Sequence, residues 1–273
     1  MLRIGKNQPM PRVHLFEFED QPWFPDVFRK GITDYLQFAA NKIDLYKPVI
    51  PVIRKGLEKS GSTRIVDICS GGGGGISKVF QYMKAEYQDT KVVLTDKYPN
   101  LVAFQNLSEH SNGDIDYVAN PVDAVDVPKD LKGFRTQFVS FHHFRPAQAK
   151  RILENAAHSN AAIGIFEATE RSFTNFIAML FTPIVVMLAV PFIRPFSFSR
   201  LFFTYVIPAI PLFTMWDGLV SVLRTYSEKE LQKMTSSINA PGYTWEIGTI
   251  KRKGAPHIIY LLGYPEKENK AAA

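Results

Sequence analysis

Apolar positions recur along this chain with two different periods, and the order in which the periods appear predicts its architecture. Over residues 26–45, Phe28, Ile32, Tyr35, Leu36, Ala39 and Ile43 fall at helical spacing, with Arg29, Lys30, Asp34 and Lys42 opposite. Such a stripe predicts an amphipathic helix. Pro48 and Pro51 open a second short helix. Short β-rich runs then alternate with helical patterns. The runs end at Ile68 and at Asp96, and cover 115–119, 136–141 and 161–166. Between them lie apolar sets at helical spacing: Ile76, Val79, Phe80 and Met83, then Ala147, Ile152, Leu153 and Ala156 behind Pro146, a residue suited to a first helical turn. Two β-rich runs, Tyr243–Ile250 and 257–263, close the chain across the basic, glycine-containing stretch Lys251, Arg252, Lys253, Gly254. The pattern predicts a mostly parallel sheet with one reversed strand.

One region breaks the alternation. Residues 176–193 and 201–216 are strongly apolar, both without a charge. A bilayer-spanning helix needs about 20 apolar residues, so the first run is borderline and the second short. Pro183, Pro191, Pro208 and Pro211 interrupt both. A spanning hairpin would also place Arg194 and Arg200, with no acid nearby, on the outer side, against the positive-inside tendency. The preferred expectation is an interfacial hairpin. It would hold the two arginines near anionic headgroups and insert Phe192, Phe196, Phe198, Phe202 and Phe203. A lid over an apolar substrate pocket, a dimer contact and a true span are the alternatives. The expected organisation is a helical cover (1–60), an α/β core (61–172), the apolar insertion (173–223) and the completion of the core (224–273).

The most informative feature is local. Strand residues Ile65, Val66, Asp67 and Ile68 run through Cys69 and Ser70 into five consecutive glycines, Gly71 to Gly75, and a helix follows at once. Glycine loses the most conformational freedom on folding, so such a run implies a loop that lets a ligand reach backbone at a helix N-terminus. The dinucleotide fingerprint Gly-x-Gly-x-x-Gly fails in every register, because its last position falls on Ile76, Ser77 or Lys78. No glycine precedes Lys-Ser or Lys-Thr, which excludes a phosphate-binding P-loop. These exclusions disfavour a nicotinamide-dependent oxidoreductase, which stays as one alternative.

What remains, Asp67 followed by Ser70, Gly71 and Gly73, resembles motif I of the class I S-adenosylmethionine-dependent methyltransferases, with Cys69 where that family often has glycine. The resemblance covers roughly residues 60–170 and 224–264. It implies a Rossmann-like α/β fold with a C-terminal antiparallel hairpin strand, an N-terminal helical cover and the apolar helical insertion. It also implies S-adenosyl-L-methionine as cofactor, held by Asp67, Ser70, Gly71 and Gly73. Asp96 ends strand 2 at the distance a βαβ unit requires, where an acid accepts hydrogen bonds from ribose hydroxyls or caps a helix. The segment from Pro121 to Pro128 looks like the family's Asp-Ala-x-x-x-Pro segment, which would face Asp123 to the adenine amino group beside Ala124, with Asp126 the weaker candidate.

Open α/β sheets bind ligands at the carboxyl ends of their strands. There lie His142 and His143 after strand 4, and Glu167 and Glu170 after strand 5. An imidazole titrates near neutrality and could take a proton from an acceptor during methylation; alternatively, it only hydrogen-bonds the loop. Glu167 is a candidate for orienting substrate, whereas Glu170 suits a helix cap. Tyr35 is a substrate candidate because, in many members of the family, a helical prefix of this kind covers the substrate site. Two adjacent histidines lack a third ligand at usual metal spacing, so no metal is expected.

Composition narrows the partners. The chain has 273 residues, 46% of them hydrophobic, enough for a full core. Its +6 net charge is scattered, and no nucleic-acid partner is expected. Cys69 is the only cysteine, so no internal disulfide forms and a reducing cytoplasm is the natural setting. The first twenty residues lack the apolar core of a signal peptide, and the tail at 266–273 is expected to fray. Together these features predict a cytoplasmic enzyme, peripheral or monotopic at the inner face of a membrane, methylating a hydrophobic or lipid-like small molecule. A homodimer through the apolar insertion would fit the same surface. A non-catalytic membrane-associated protein that keeps the fold is the remaining alternative.

Overall fold

A computed structural model describes residues 10–266. The first nine residues, and 267–273 of the tail expected to fray, lie outside the described residues. The elements run α1 (Asp26–Lys42), α2 (Ile50–Ser60), β1 (Arg64–Ile68), α3 (Gly74–Glu86), β2 (Lys91–Thr95), α4 (Leu101–Glu109), β3 (Ile115–Tyr117), β4 (Phe134–Phe138), α5 (Pro146–His158) and β5 (Ile163–Glu167). They continue with α6 (Phe173–Leu180), α7 (Thr182–Ala189), α8 (Phe198–Tyr205), α9 (Ala209–Arg224), α10 (Glu228–Ser236), β6 (Tyr243–Ile250) and β7 (Ile258–Pro265). The chain divides into two compact units. One is built from residues 45–168 and 228–266, the other from 10–44 and 169–227.

The first unit is a seven-stranded sheet in the order β3-β2-β1-β4-β5-β7-β6. Strands β1 to β5 pair in parallel, whereas β7 runs antiparallel to both β5 and β6. The strand order reverses direction between β1 and β4, and at such a switch point the carboxyl ends leave a crevice for a ligand. Strands 1, 2, 4 and 5 are buried along most of their length, as parallel strands covered on both faces must be. Helix α2 seats against the sheet through glycine. A Cβ on Gly56 would fall 2.3 Å from Cζ of Phe134, and one on Gly164 of β5 would fall 2.7 Å from the same atom. The fully buried Phe134 ring fills both spaces.

Strand 4 starts and ends earlier than its hydrophobic pattern predicts. Arg135 is 2% exposed inside the strand and donates to Asn155 at 2.6 Å, so a buried cation occupies a position the pattern reads as outside. Phe141, expected as the last strand residue, instead begins a 3-10 turn, Phe141–His143.

The second unit is helical. Phe24, Ile32, Tyr35, Val186, Val190, Ile193 and Ile210 form its core, with Phe18, Phe28, Phe203 and Phe213 packed against them. The buried stripe of α1 is narrower than its periodicity predicts, since Leu36 and Ile43 are exposed. Residues 10–25 are irregular but firmly tied to α9. Asp217 accepts the Phe18 N–H at 2.7 Å and the Glu19 N–H at 3.1 Å. Arg224 donates to Asp20 at 2.7 Å and lies 3.2 Å from Glu17. Trp216 donates its indole N–H to the Phe16 carbonyl.

The two apolar runs each fold as a pair of short helices, bent by 50° and by 76° at the break. Among the described residues no single helix is long and apolar enough to cross a membrane. Two expectations for this region are corrected. Arg200 does not face outward: it is 3% exposed, pairs with Asp34, and donates to the Ile193 and Pro195 carbonyls. Phe203 turns inward onto Phe28, 4.9 Å between ring centroids. The helix cap expected of Glu170 is supplied by Ser172, whose hydroxyl accepts the Asn175 N–H.

Candidate active site at the carboxyl ends of the strands

The glycine loop is held from beneath by polar side chains in otherwise apolar strands. The Ser70 N–H donates to the Thr95 carbonyl, the Ser70 and Thr95 hydroxyls both donate to the Asp67 carbonyl, and the Gly73 N–H donates to Ser70. Gly73 is the residue before α3, with φ +73°, and no side chain caps the helix. The N–H groups of its first turn therefore have no side-chain cap, as at helix starts that receive ligands. Gly71 has φ +54°, and a Cβ there would meet nothing within 4 Å. Gly73 differs, since a Cβ would run into Leu107 at 2.3 Å. Gly71 thus faces the open side of the loop, while Gly73 packs on the protein.

Asp96 ties the loop to the second strand. One carboxylate oxygen accepts the Gly71 N–H at 2.9 Å and the other accepts the Tyr98 N–H at 2.8 Å. Each oxygen has two lone pairs, so both contacts leave acceptor capacity for hydroxyls. Asp123 accepts the Val125 N–H at 3.0 Å and the Lys97 ammonium at 2.9 Å. Burial opposes its ionisation, but these bonds outweigh it and hold the carboxyl below its usual range. Asp126 lies in the 3-10 turn that Asp123 caps. Burial pushes the Cys69 thiol up, and Asp96, Asp67 and Asp123 reinforce the shift, so the group stays protonated and does not act as a nucleophile.

Asp67 is 3% exposed and accepts the Thr136 hydroxyl at 2.7 Å. Burial raises its carboxyl to about 7 against the hydrogen bonds from Thr136 and Ser70. The folded state therefore keeps a proton that the unfolded chain releases near pH 3.8. Stability should fall as pH rises from about 4 to 7 and stay reduced above, by at most roughly 4 kcal/mol. Asp67→Asn keeps an acceptor for Thr136 and cannot ionise. It should melt several degrees higher than wild type at pH 8 and equally at pH 4; melting curves that stay parallel to wild type across this range would exclude the linkage.

At the exit of β4, Val139 adopts φ +45°, a conformation rare for a β-branched residue and worth about 1–3 kcal/mol of strain. The turn that follows is gripped by Glu167. Its Oε1 accepts the Phe141 N–H at 2.7 Å and the His142 N–H at 3.2 Å, while its Oε2 lies 2.7 Å from His142 Nδ1. His142 is 1% exposed. The His143 ring lies against it, 4.3 Å between centroids and tilted by 31°. Glu167, the substrate candidate, thus places its oxygens on the turn and on the imidazole. Tyr35 lies in the core of the helical unit, and burial raises its phenol.

The sequence-based candidates Asp67, Ser70, Gly71, Gly73, Asp96, Asp123, His142, His143 and Glu167 all belong to the sheet unit, at or just beyond strand ends. Four residues that pattern reading passed over also shape the site: Thr95, Thr136, Tyr46 and Val139. The two threonines were marked only by being polar within buried strands.

No protein-family model matches the chain, and no curated protein matches it either. Solved structures do. A candidate O-methyltransferase from Nostoc punctiforme superposes with a TM-score of 0.50 at 14% identity, over 93% of this chain and 64% of that one. An O-methyltransferase from neocarzinostatin biosynthesis, in complex with S-adenosylmethionine and 2-hydroxy-5-methyl naphthoic acid, matches with a TM-score of 0.49 at 13% identity, over 88% and 58%. Human N-acetylserotonin methyltransferase in complex with S-adenosylmethionine gives 0.47 at 13%, over 89% and 56%. The chain spans less than two thirds of the length of each. At this identity the likeness to the Nostoc punctiforme structure shows the fold alone, and that fold is that of the class I methyltransferases.

Proposed function

We propose that the protein is an S-adenosylmethionine-dependent methyltransferase acting on a hydrophobic small molecule. The observation that carries this reading is the uncapped start of α3 beside Gly71 and Asp96, on the same strand ends as a histidine oriented by a buried carboxylate. When bound, S-adenosylmethionine supplies a methyl group activated by its sulfonium. Asp96 would accept the ribose hydroxyls while keeping the loop in register, and Asp123 would accept from the adenine amino group. Asp67, Ser70 and the glycine backbone would hold the remainder.

His142 is assigned as the base and Glu167 as its positioning residue. A proton on Nδ1 directed at Glu167 leaves Nε2 as the basic nitrogen. Glu167 also stabilises the imidazolium formed once the acceptor's proton is taken. His143 supports the ring of His142. Two measurements test the reading. Calorimetric titration should show binding of S-adenosylhomocysteine and not of NADH, and extracts supplied with labelled methyl donor should reveal the acceptor. Binding of NADH in place of the homocysteine ligand would overturn it.

A membrane-surface setting and a lipid-like acceptor rest on the helical unit. Phe181, Ile184, Leu188, Phe192, Phe196, Phe198 and Val206 are all exposed there, Phe198 by 82%, and exposed apolar groups at this density mark interaction surfaces. Arg194 is exposed among them. Anionic vesicles should float the protein at low salt and less at high salt. Phe196→Ser with Phe198→Ser should abolish most of the flotation, and Arg194→Gln should weaken it by about 1 kcal/mol. Arg200→Gln is no test of lipid contact, since it would strand Asp34 and the Ile193 and Pro195 carbonyls. A protein that stays dimeric and never floats would assign the face to a second copy.

A further inference from the structure

The helical unit holds a cavity of about 320 Å³ between α1 and the chain that follows the 3-10 turn Val190–Phe192. Its lining is chemically divided. Phe38, Phe192 and Ile193 form an apolar wall, while Asp34, Gln37, Asn41 and Arg194 contribute polar groups. Gln37 and Asn41 stand one turn apart on α1 and are exposed, so their amides offer donors side by side. Arg194 turns Nη1 back onto the Pro191 carbonyl at 2.9 Å, and among the described residues no carboxylate pairs with its guanidinium. The Asp34 carboxylate is already committed. It pairs with the buried Arg200 and stands 3.8 Å from the Lys30 ammonium. Three cations thus stand against one carboxylate, and the cavity is a positive site with donors to spare.

We propose that this cavity binds a terminal phosphate carried by a lipid. The proposal rests on the membrane-surface reading given above and names the headgroup chemistry that surface selects. An arginine fork matches two oxygens of a carboxylate or a phosphate. A carboxylate is used up by the fork alone, whereas a phosphate monoester keeps a further oxygen for the Gln37 and Asn41 amides. A phosphodiester reaches less far, because the rest of its headgroup covers the phosphate. The lipid source follows from the apolar wall. Phe192 borders the cavity and is 68% exposed, and the next aromatics along the chain, Phe196 and Phe198, are exposed as well. An acyl chain can lie on these rings once the phosphate is seated, and free phosphate gains nothing from them.

Flotation on two kinds of phosphatidylcholine vesicle tests the assignment, one carrying phosphatidate and the other brought to the same surface charge with oleate. Wild type should partition about tenfold more strongly onto phosphatidate, the scale of hydrogen bonds to a charged group. Gln37→Ala with Asn41→Ala removes no charge. It should weaken binding to phosphatidate by about tenfold and leave binding to oleate within about twofold. Arg194→Lys keeps the charge but loses the fork, and should weaken phosphatidate binding by about fivefold. Millimolar inorganic phosphate should leave wild type on the phosphatidate vesicles. Equal partition of wild type onto both vesicles, or either variant matching wild type on phosphatidate, would reduce the cavity to general charge attraction and overturn the proposal. Displacement by inorganic phosphate would assign the cavity to a soluble ligand and overturn the lipid source. All three positions are exposed, thermal melts accompany each variant, and either variant decides the matter should the other fail to fold. Wild type that floats on neither vesicle would overturn the membrane-surface reading itself, an outcome separate from these.

Discussion

Asp96→Ala should lower the affinity for S-adenosylhomocysteine by about a hundredfold, because it acts on ligand and loop together. The carboxylate would lose its charge-assisted bonds to the ribose, each worth about 1.5–3 kcal/mol before relaxation. It would also release the Gly71 N–H that it now holds at 2.9 Å, freeing a loop whose order depends on that bond. Asp96→Asn separates the two effects. Its amide oxygen can still hold Gly71, yet it carries no charge and presents fewer acceptors, so its affinity should fall between the other two. Calorimetry reads all three. A loss under about threefold in the alanine variant would move the ribose contact to another residue.

His142→Ala should reduce turnover by about 10²- to 10⁴-fold, the usual contribution of a positioned general base, and leave the affinity for S-adenosylhomocysteine unchanged. Glu167→Gln discriminates more sharply. A glutamine oxygen can still accept the Phe141 and His142 N–H groups, so the turn keeps its shape. Its amide nitrogen, however, presents a donor to His142 Nδ1. The ring must then accept there and carry its proton on Nε2, the wrong tautomer for a base. Turnover should therefore fall almost as far as in His142→Ala, with little change in melting temperature. His143→Ala should stay within about threefold of wild type, since it changes ring packing and not the proton path. Wild-type rates for His142→Ala across pH 6–9 would return the histidine to a structural role.

The parts of the site that the sequence made legible are those where local chemistry and the element coincide. Five glycines between a β-run and a helical pattern specify a strand-loop-helix junction almost regardless of tertiary context. The alternation of strands and helices likewise led to the sheet, and the terminal hairpin emerged with β6 at its expected bounds. The position of Glu167 at a strand end says nothing of where its oxygens go. Only the turn of the chain at Val139 brings the Phe141 and His142 N–H groups onto them. Arg200 misled for a related reason. A charge between two apolar runs looks like a surface group, but Asp34 lies 166 residues earlier and satisfies it from a different helix. Tyr46 carried no pattern at all, since a single aromatic before a proline-containing turn is ordinary until its neighbours are known.

The division of the chain has a consequence for how the protein comes to be folded. Each unit is assembled from two stretches separated by the whole of a stretch belonging to the other. Residues 10–25 lie on α9 some two hundred positions later, and β5 gains its antiparallel neighbour only when β7 is made. During synthesis the parallel strands β1 to β5 emerge first, with Ile163, Ile165 and Phe166 on an open edge, a surface that pairs readily with other chains. Contacts of such long sequence separation close late and slow the search, because the entropy of closing the intervening chain is lost before they form. The nascent protein is therefore most exposed to aggregation just before β6 and β7 leave the ribosome, and a chain ending short of β7 would keep that exposed edge for good.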